Sequence, residues 1–202
     1  MSLKFIENGQ KFPEELLCCI IAAVLKSLVA CKSKNIIHRD VRPDNILLSR
    51  DGAIKLCDFG ESRILDNSLA SSHVGTIAYW PPERFNYAHT KYDVRTDVWS
   101  LGITLMEIIL GRLPYLDHNR HQGHHGDYGF VIQQYIVKTS FVEIIERYIR
   151  PKYSPVLCET LELCTRILEE RPKLEFLEST QFYQQSQSIE KEEIANILRN
   201  IS

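Results

Sequence analysis

His38-Arg39-Asp40-Val41-Arg42-Pro43-Asp44-Asn45, followed by Ile54-Lys55-Leu56-Cys57-Asp58-Phe59-Gly60, is the stretch whose reading decides the fold. Ile46-Leu47-Leu48 and Ala53-Ile54-Lys55-Leu56 are short apolar runs joined by Ser49-Arg50-Asp51-Gly52, which predicts a hairpin with a glycine turn. Such a hairpin brings Asn45, at its entrance, close to Asp58, at its exit. A carboxylate and an amide oxygen side by side suit a hard cation that sits against phosphates. Asp40, a few residues upstream, is left to take a proton.

HRDVRPDN and DFG, in this order and with a hairpin between them, resemble the catalytic loop and metal-binding motif of eukaryotic protein kinases. The resemblance implies that Asp40 orients or deprotonates an acceptor hydroxyl. It also implies that Asn45 and Asp58 bind Mg2+ with ATP, and that Phe59 packs to set the active or inactive position, with Gly60 a structural residue beside it. His38 and Arg39 would be structural members of the loop. One departure is Arg42, where the Ser/Thr-directed pattern has lysine. Arginine keeps the charge but replaces a compact ammonium with a planar fork, which alters its aim at a transferring phosphoryl group.

Outward from this stretch, Glu61 to His73 is rich in serine and poor in core residues, and it resembles an activation segment. Ser68 and Ser72 match the phosphorylation spacing of MAP kinase kinases, with Arg39 as one cation able to receive a phosphate. Val74 to Phe85 is similar to a substrate-docking loop and its APE motif, with Pro81 and Trp80 in place of the usual Ala and Met. There, Thr76 is the hydroxyl expected near Asp40. Tyr92 to Gly102 resembles the start of the central helix, in which Asp97 would accept hydrogen bonds from the catalytic-loop backbone. Arg171, in Glu170-Arg171-Pro172-Lys173-Leu174, is then the expected ion-pair partner of Glu83.

Ahead of the catalytic loop, Pro13-Glu14-Glu15 announces a helix that runs to about Ser33 and is apolar on more than one side. Val98 to Leu110 is apolar nearly all round, with Gly111 as a stop, so it should form the centre of the packing. Gly129 to Val137 and Pro155 to Glu169 also read as helices. The segment after Gln181 is polar until Ile189. From a cap at Ser188, Ile194, Ile197, Leu198 and Ile201 then share one helical face, which docks back on the lobe or binds a partner. Four histidines, His118, His121, His124 and His125, suggest a metal site by spacing. The interspersed Gly123 and Gly126 favour an exposed insertion instead.

The totals are those of an ordinary globular chain of 202 residues, with a net charge of −2 that gives no hint of nucleic acid or an anionic membrane as partner. The longest apolar run, Leu16 to Ala30, is shorter than the ~20 residues a membrane span requires. Six cysteines without C-x-x-C pairs fit reduced thiols in a cytoplasmic or nuclear protein.

The expected class is α+β, a protein-kinase-like fold in which a mainly helical C-terminal lobe carries short β-hairpins and the N-terminal lobe is absent. A kinase small lobe carries a Gly-rich loop and a strand lysine, and the 202 residues contain neither. The C-terminal lobe is assigned to 1–180, with the catalytic loop at 38–45 and the activation segment at 58–83. A polar linker and short amphipathic helix follow at 181–202. The resemblance is to the MAP kinase kinase family, dual-specificity enzymes that phosphorylate Thr and Tyr of a MAP kinase and are activated by a MAP kinase kinase kinase. Without the phosphate-covering parts, the chain by itself is expected to bind ATP weakly and to turn over negligibly. The alternative is a non-catalytic lobe that docks pathway proteins. A small-molecule phosphotransferase shares a His-x-Asp but not Pro82-Glu83 with Arg171, nor the serine loop.

Overall fold

The computed structural model describes residues 11–64, 76–85, 93–116 and 128–201. Helix α1, Glu14–Lys32, begins at Pro13 and places Glu14 and Glu15 at its positive end and Lys32 at its negative end. Its residues are buried around most of the circumference, including Leu16, Leu17, Ile20, Ile21, Val24 and Leu25. The central helix α2, Arg95–Leu110, is buried almost throughout and stops at Gly111, whose φ of 68° lets its N–H reach the Glu107 carbonyl at 2.8 Å.

Between these helices lie two small antiparallel ladders. Strand β1, Ile36–Ile37, is entered through Asn35 at φ 56°, and strands β2, Ile46–Leu48, and β3, Ile54–Leu56, form the hairpin. Its register pairs Ile46 with Leu56 and Leu48 with Ile54, and Gly52 takes φ 84° in the turn. Strand β4, Arg63–Ile64, returns to pair with β1, Ile37 opposite Arg63. The β1–β4 ladder therefore closes a loop that begins at His38 and ends after Gly60, and the hairpin lies inside that loop.

Helix α3, Tyr128–Lys138, is followed by α4, Phe141–Ile144, capped by Ser140, which continues into a π-helical turn at Ile145–Ile149. Helix α5, Pro155–Cys164, has Ser154 as its cap and Pro155 at its first position. Where α2 crosses α5, a Cβ added at Gly102 would lie 2.7 Å from the Cβ of Cys164, so only glycine allows that approach. Three further helices follow: α6, Leu174–Glu178; α7, Gln181–Gln185; and α8, Lys191–Ile201. No helix among the described residues is long and apolar enough to cross a membrane.

Three expectations at this end are corrected. Helix α5 stops at Cys164 and not at Glu169, because Thr165 leaves helical geometry and turns its hydroxyl back to the Leu161 carbonyl. Residues 181–188 are not a polar linker: Phe182 is 0% and Tyr183 6% exposed, and these two aromatics pin α7 to the core beneath α1. Helix α8 starts not at Ser188 but after Glu190, whose carbonyl accepts from the Glu193 and Ile194 N–H groups. It docks on the lobe through Ile194, Ala195 and Leu198. Its first turn presses on the hairpin, where a Cβ at Gly52 would come within 2.1 Å of the Lys191 carbonyl oxygen, and Lys191 pairs with Asp51 at 2.6 Å.

Candidate active site

The loop after β1 is held from below. Asp97, 3% exposed in the first turn of α2, accepts from the His38 N–H at 2.9 Å through Oδ2 and from the Arg39 N–H at 2.8 Å through Oδ1. Arg39 sits at φ 74°, a left-handed conformation costing a non-glycine residue roughly 1–2 kcal/mol. The Asp97 clamp is what keeps it there. Burial pushes the Asp97 carboxyl above its usual range, against the lowering effect of those two backbone bonds.

His38 is fully buried and bridges the two halves of the site. Its Nδ1 accepts from the Asp40 N–H at 3.3 Å, so Nε2 carries the proton and donates to the Cys57 carbonyl at 3.2 Å. Phe59 meets its ring edge-on at 4.8 Å. The stretch leading into Asp58 is thereby tied to the backbone of Asp40. Asp58 also adopts a positive φ, 62°, and its Oδ1 accepts from the Gly60 N–H at 3.1 Å.

The polar cluster lies above this frame. Oδ1 of Asp40 accepts from both the Thr76 hydroxyl, at 2.9 Å, and the Thr76 N–H, at 3.2 Å. Its Oδ2 accepts from Nδ2 of Asn45 at 2.8 Å, and the same amide nitrogen donates to the Asp40 carbonyl at 2.7 Å. Both N–H bonds of the Asn45 amide are thus committed, which fixes its orientation and leaves Oδ1 as its acceptor. The hairpin joins Asn45 to the exit strand through the Cys57 N–H and the Asn45 carbonyl, 2.8 Å apart. The Asn45 amide oxygen and the exposed Asp58 carboxylate are both hard oxygen donors. That donor chemistry fits Mg2+ better than a soft metal. No cluster of three or more His, Cys, Asp or Glu among the described residues could hold another metal, and His118, His121, His124 and His125 lie outside those residues.

Arg42 does not extend freely into the cleft. One arm of its fork donates to the Thr76 hydroxyl at 2.8 Å, and the other pairs with Asp44. Burial is the largest single influence and disfavours its charge, but the Asp44 hydrogen bond and the attraction of the Asp44 and Asp40 carboxylates together outweigh it and the pKa is raised. Behind it the guanidinium stands 5.6 Å from the Tyr79 ring centroid, and the Tyr79 hydroxyl donates to Glu107 of α2. Burial raises the pKa of Tyr79 and pushes the Glu107 carboxyl up as well. Sequence reasoning missed Asp44, Tyr79 and Glu107. Glu107 did leave a signal, since it is the only charged residue between Val98 and Leu110, and a lone carboxylate in an apolar helix must find a donor.

Farther out, Glu83 and Arg171 form a two-pronged ion pair at 2.7 and 3.1 Å. The Arg171 side chain is fully buried, stands 4.9 Å from the Trp99 ring centroid and also donates to the Arg95 and Arg166 carbonyls. The structure thus joins Asp40, Arg42, Asn45 and Thr76 in one hydrogen-bonded network and places Asp58 at the hairpin exit. Asp97 lies under the loop, and the Glu83–Arg171 pair secures the segment beyond. Ser68 and Ser72 lie outside the described residues.

The model of the protein kinase domain family matches residues 2–177. The chain belongs to the protein kinase family. Kinases of this family use ATP and Mg2+, and the kinase domain here supplies oxygen donors, not thiolates or imidazoles, at the place where the cation would be held. Mg·ATP, when bound, supplies the phosphoryl group and neutralises its charge. In the kinase domain itself, Asn45 and Asp58 would hold the cation. Asp40 is held with Thr76 on one carboxylate oxygen and Asn45 on the other.

Proposed function

We propose that this lobe belongs to a MAP kinase kinase type of kinase that transfers the γ-phosphate of ATP to Ser, Thr or Tyr of a MAP kinase. The observation that carries a phosphotransferase reading is Asp40, with Thr76 on one carboxylate oxygen and the oriented Asn45 amide on the other. In transfer the acceptor oxygen bonds to phosphorus, its proton passes to the Asp40 carboxylate, and the electron pair of the broken bond leaves with ADP. Asn45 keeps Asp40 aimed, and Asp97 holds the loop that presents both. The finer family assignment rests on Ser68 and Ser72 and on the motif order. An upstream MAP kinase kinase kinase is the corresponding activator. The six cysteines are all free thiols in the fold, which supports a reducing, cytoplasmic or nuclear setting.

A second reading, a non-catalytic lobe that docks pathway proteins, is favoured by one observation. The Arg42 fork is engaged by Thr76 and Asp44 and not held free for a phosphoryl group. One assay separates the two. The 202 residues are joined to a small lobe bearing a Gly-rich loop and strand lysine, and Mg·ATP-dependent transfer to a MAP kinase is measured. Transfer that Asp40→Asn and Asp58→Asn abolish supports catalysis, with the 202 residues alone remaining silent. No transfer even with a small lobe supplied refutes catalysis and leaves docking.

A further inference from the structure

Away from the polar cluster, the described residues enclose a groove of about 820 Å3 between α3 and the α4–π segment. Its apolar surface is aromatic: Phe130 on α3 is 59% exposed, Tyr148 on the π turn is 42% exposed, and Tyr115 and Tyr135 add to the wall. The π turn itself is informative, because such turns are rare and tend to occur at functional sites. Here Ile145 and Ile149 are fully buried while Arg147 and Tyr148, between them, project into the groove.

The charges lining it are unequal. Lys138 and Arg147 are exposed cations on opposite walls, and no ion pair within 4.0 Å engages either of them among the described residues. Arg112 approaches from behind, 5.9 Å from the Tyr148 ring centroid, while Arg147 stands 5.3 Å from the same centroid. Glu143 is the one carboxylate in the lining. Arginine beside exposed aromatic rings is the composition of protein contact surfaces, and cations that no ion pair among the described residues engages select carboxylates.

We propose that this groove binds an acidic segment of a partner protein, with one aromatic or leucine side chain between Phe130 and Tyr148 and flanking carboxylates on Lys138 and Arg147. The inference is independent of whether Asp40 is catalytic. Tyr115 gives the groove a connection inward, since its hydroxyl donates to the Ala78 carbonyl at 2.6 Å, in the turn that follows Thr76.

The test is fluorescence anisotropy of the 202-residue chain with a labelled twelve-residue peptide of Asp and Glu around a Leu-x-x-Phe pair. Controls are the same peptide with Asn and Gln for the acids and a second with Ala for Leu and Phe. Binding is expected only for the first peptide and should weaken with salt. Lys138→Glu with Arg147→Glu should weaken it at least about tenfold, as should Phe130→Ala, while Lys34→Glu, on an exposed turn elsewhere, leaves it unchanged. All four side chains are exposed, so circular dichroism melts should stay within about 2 °C of the parent, which separates lost binding from lost folding. Equal binding of the acidic and amide peptides, or indifference to the charge reversal, overturns the proposal. A concentration-dependent dimer in light scattering that the same variants dissolve also overturns it, by assigning the face to a second copy of the chain.

Discussion

Replacing Asp97 is the sharpest perturbation of the loop that carries Asp40. The carboxylate is 3% exposed and satisfies two backbone donors, His38 N–H at 2.9 Å and Arg39 N–H at 2.8 Å. Asp97→Ala leaves both buried and unpaired at about 1–3 kcal/mol each, or about 2–6 kcal/mol together. Asp97→Asn keeps the shape and one acceptor oxygen but turns an NH2 toward the second donor, so about half that loss is expected. Against a whole-domain stability of roughly 5–15 kcal/mol, the alanine variant approaches the limit of folding and the asparagine variant does not. Urea unfolding followed by circular dichroism measures both, and at this chain length each kcal/mol should also lower Tm by about 2–4 °C. If alanine costs under about 0.5 kcal/mol, or asparagine costs as much as alanine, the two-bond clamp is not what holds the loop.

Three further outcomes follow from the packing. Glu83→Ala should cost about 3–5 kcal/mol in urea unfolding, because it strands the fully buried Arg171 charge; a change within about 1 kcal/mol would show that the pair is replaceable. Gly102→Ala gains about 1 kcal/mol of helix propensity but forces a Cβ to 2.7 Å from that of Cys164. Net destabilisation of roughly 1–2 kcal/mol is expected, and a stabilised variant would mean α2 and α5 can move apart freely. For Glu107 the sign is fixed by the raised carboxyl: the folded state binds the proton more tightly than the unfolded chain, so this contribution is full below the usual 4.5 and lost as pH rises through the folded value. Glu107→Gln, neutral and still able to accept from Tyr79, should remove that loss. Parallel urea midpoints for the two proteins across that window would refute it.

Much of the frame was written locally. Pro13 and two acidic residues start α1, Gly52 turns the hairpin, and Gly111 ends α2, each because backbone geometry admits few alternatives. What escaped depended on partners distant in the chain. Phe182 and Tyr183 lie in a polar run, so periodicity could not show that two aromatics would anchor it under α1. The segment from Phe141 to Ile149 carries a π turn, for which neither a 3.6-residue nor a two-residue period gives a sign. In the site, Asp40, Asn45 and Asp58 could be picked out as residue types at a spacing. The turning of Arg42 toward Asp44 and Thr76 is a matter of side-chain rotamer that no spacing encodes.

The pressure of α8 on the Gly52 turn has a consequence for the order in which the protein acquires its shape. The hairpin that sets Asn45 and Asp58 is braced at its far end by residues about 140 positions later. A ribosome delivering the chain from the amino terminus makes the hairpin well before its brace, with a delay of roughly 10 s at ordinary elongation rates. Nascent chains arrested before residue 190 should therefore show faster amide exchange in the hairpin than released ones, and equal rates would show that the turn stands unaided.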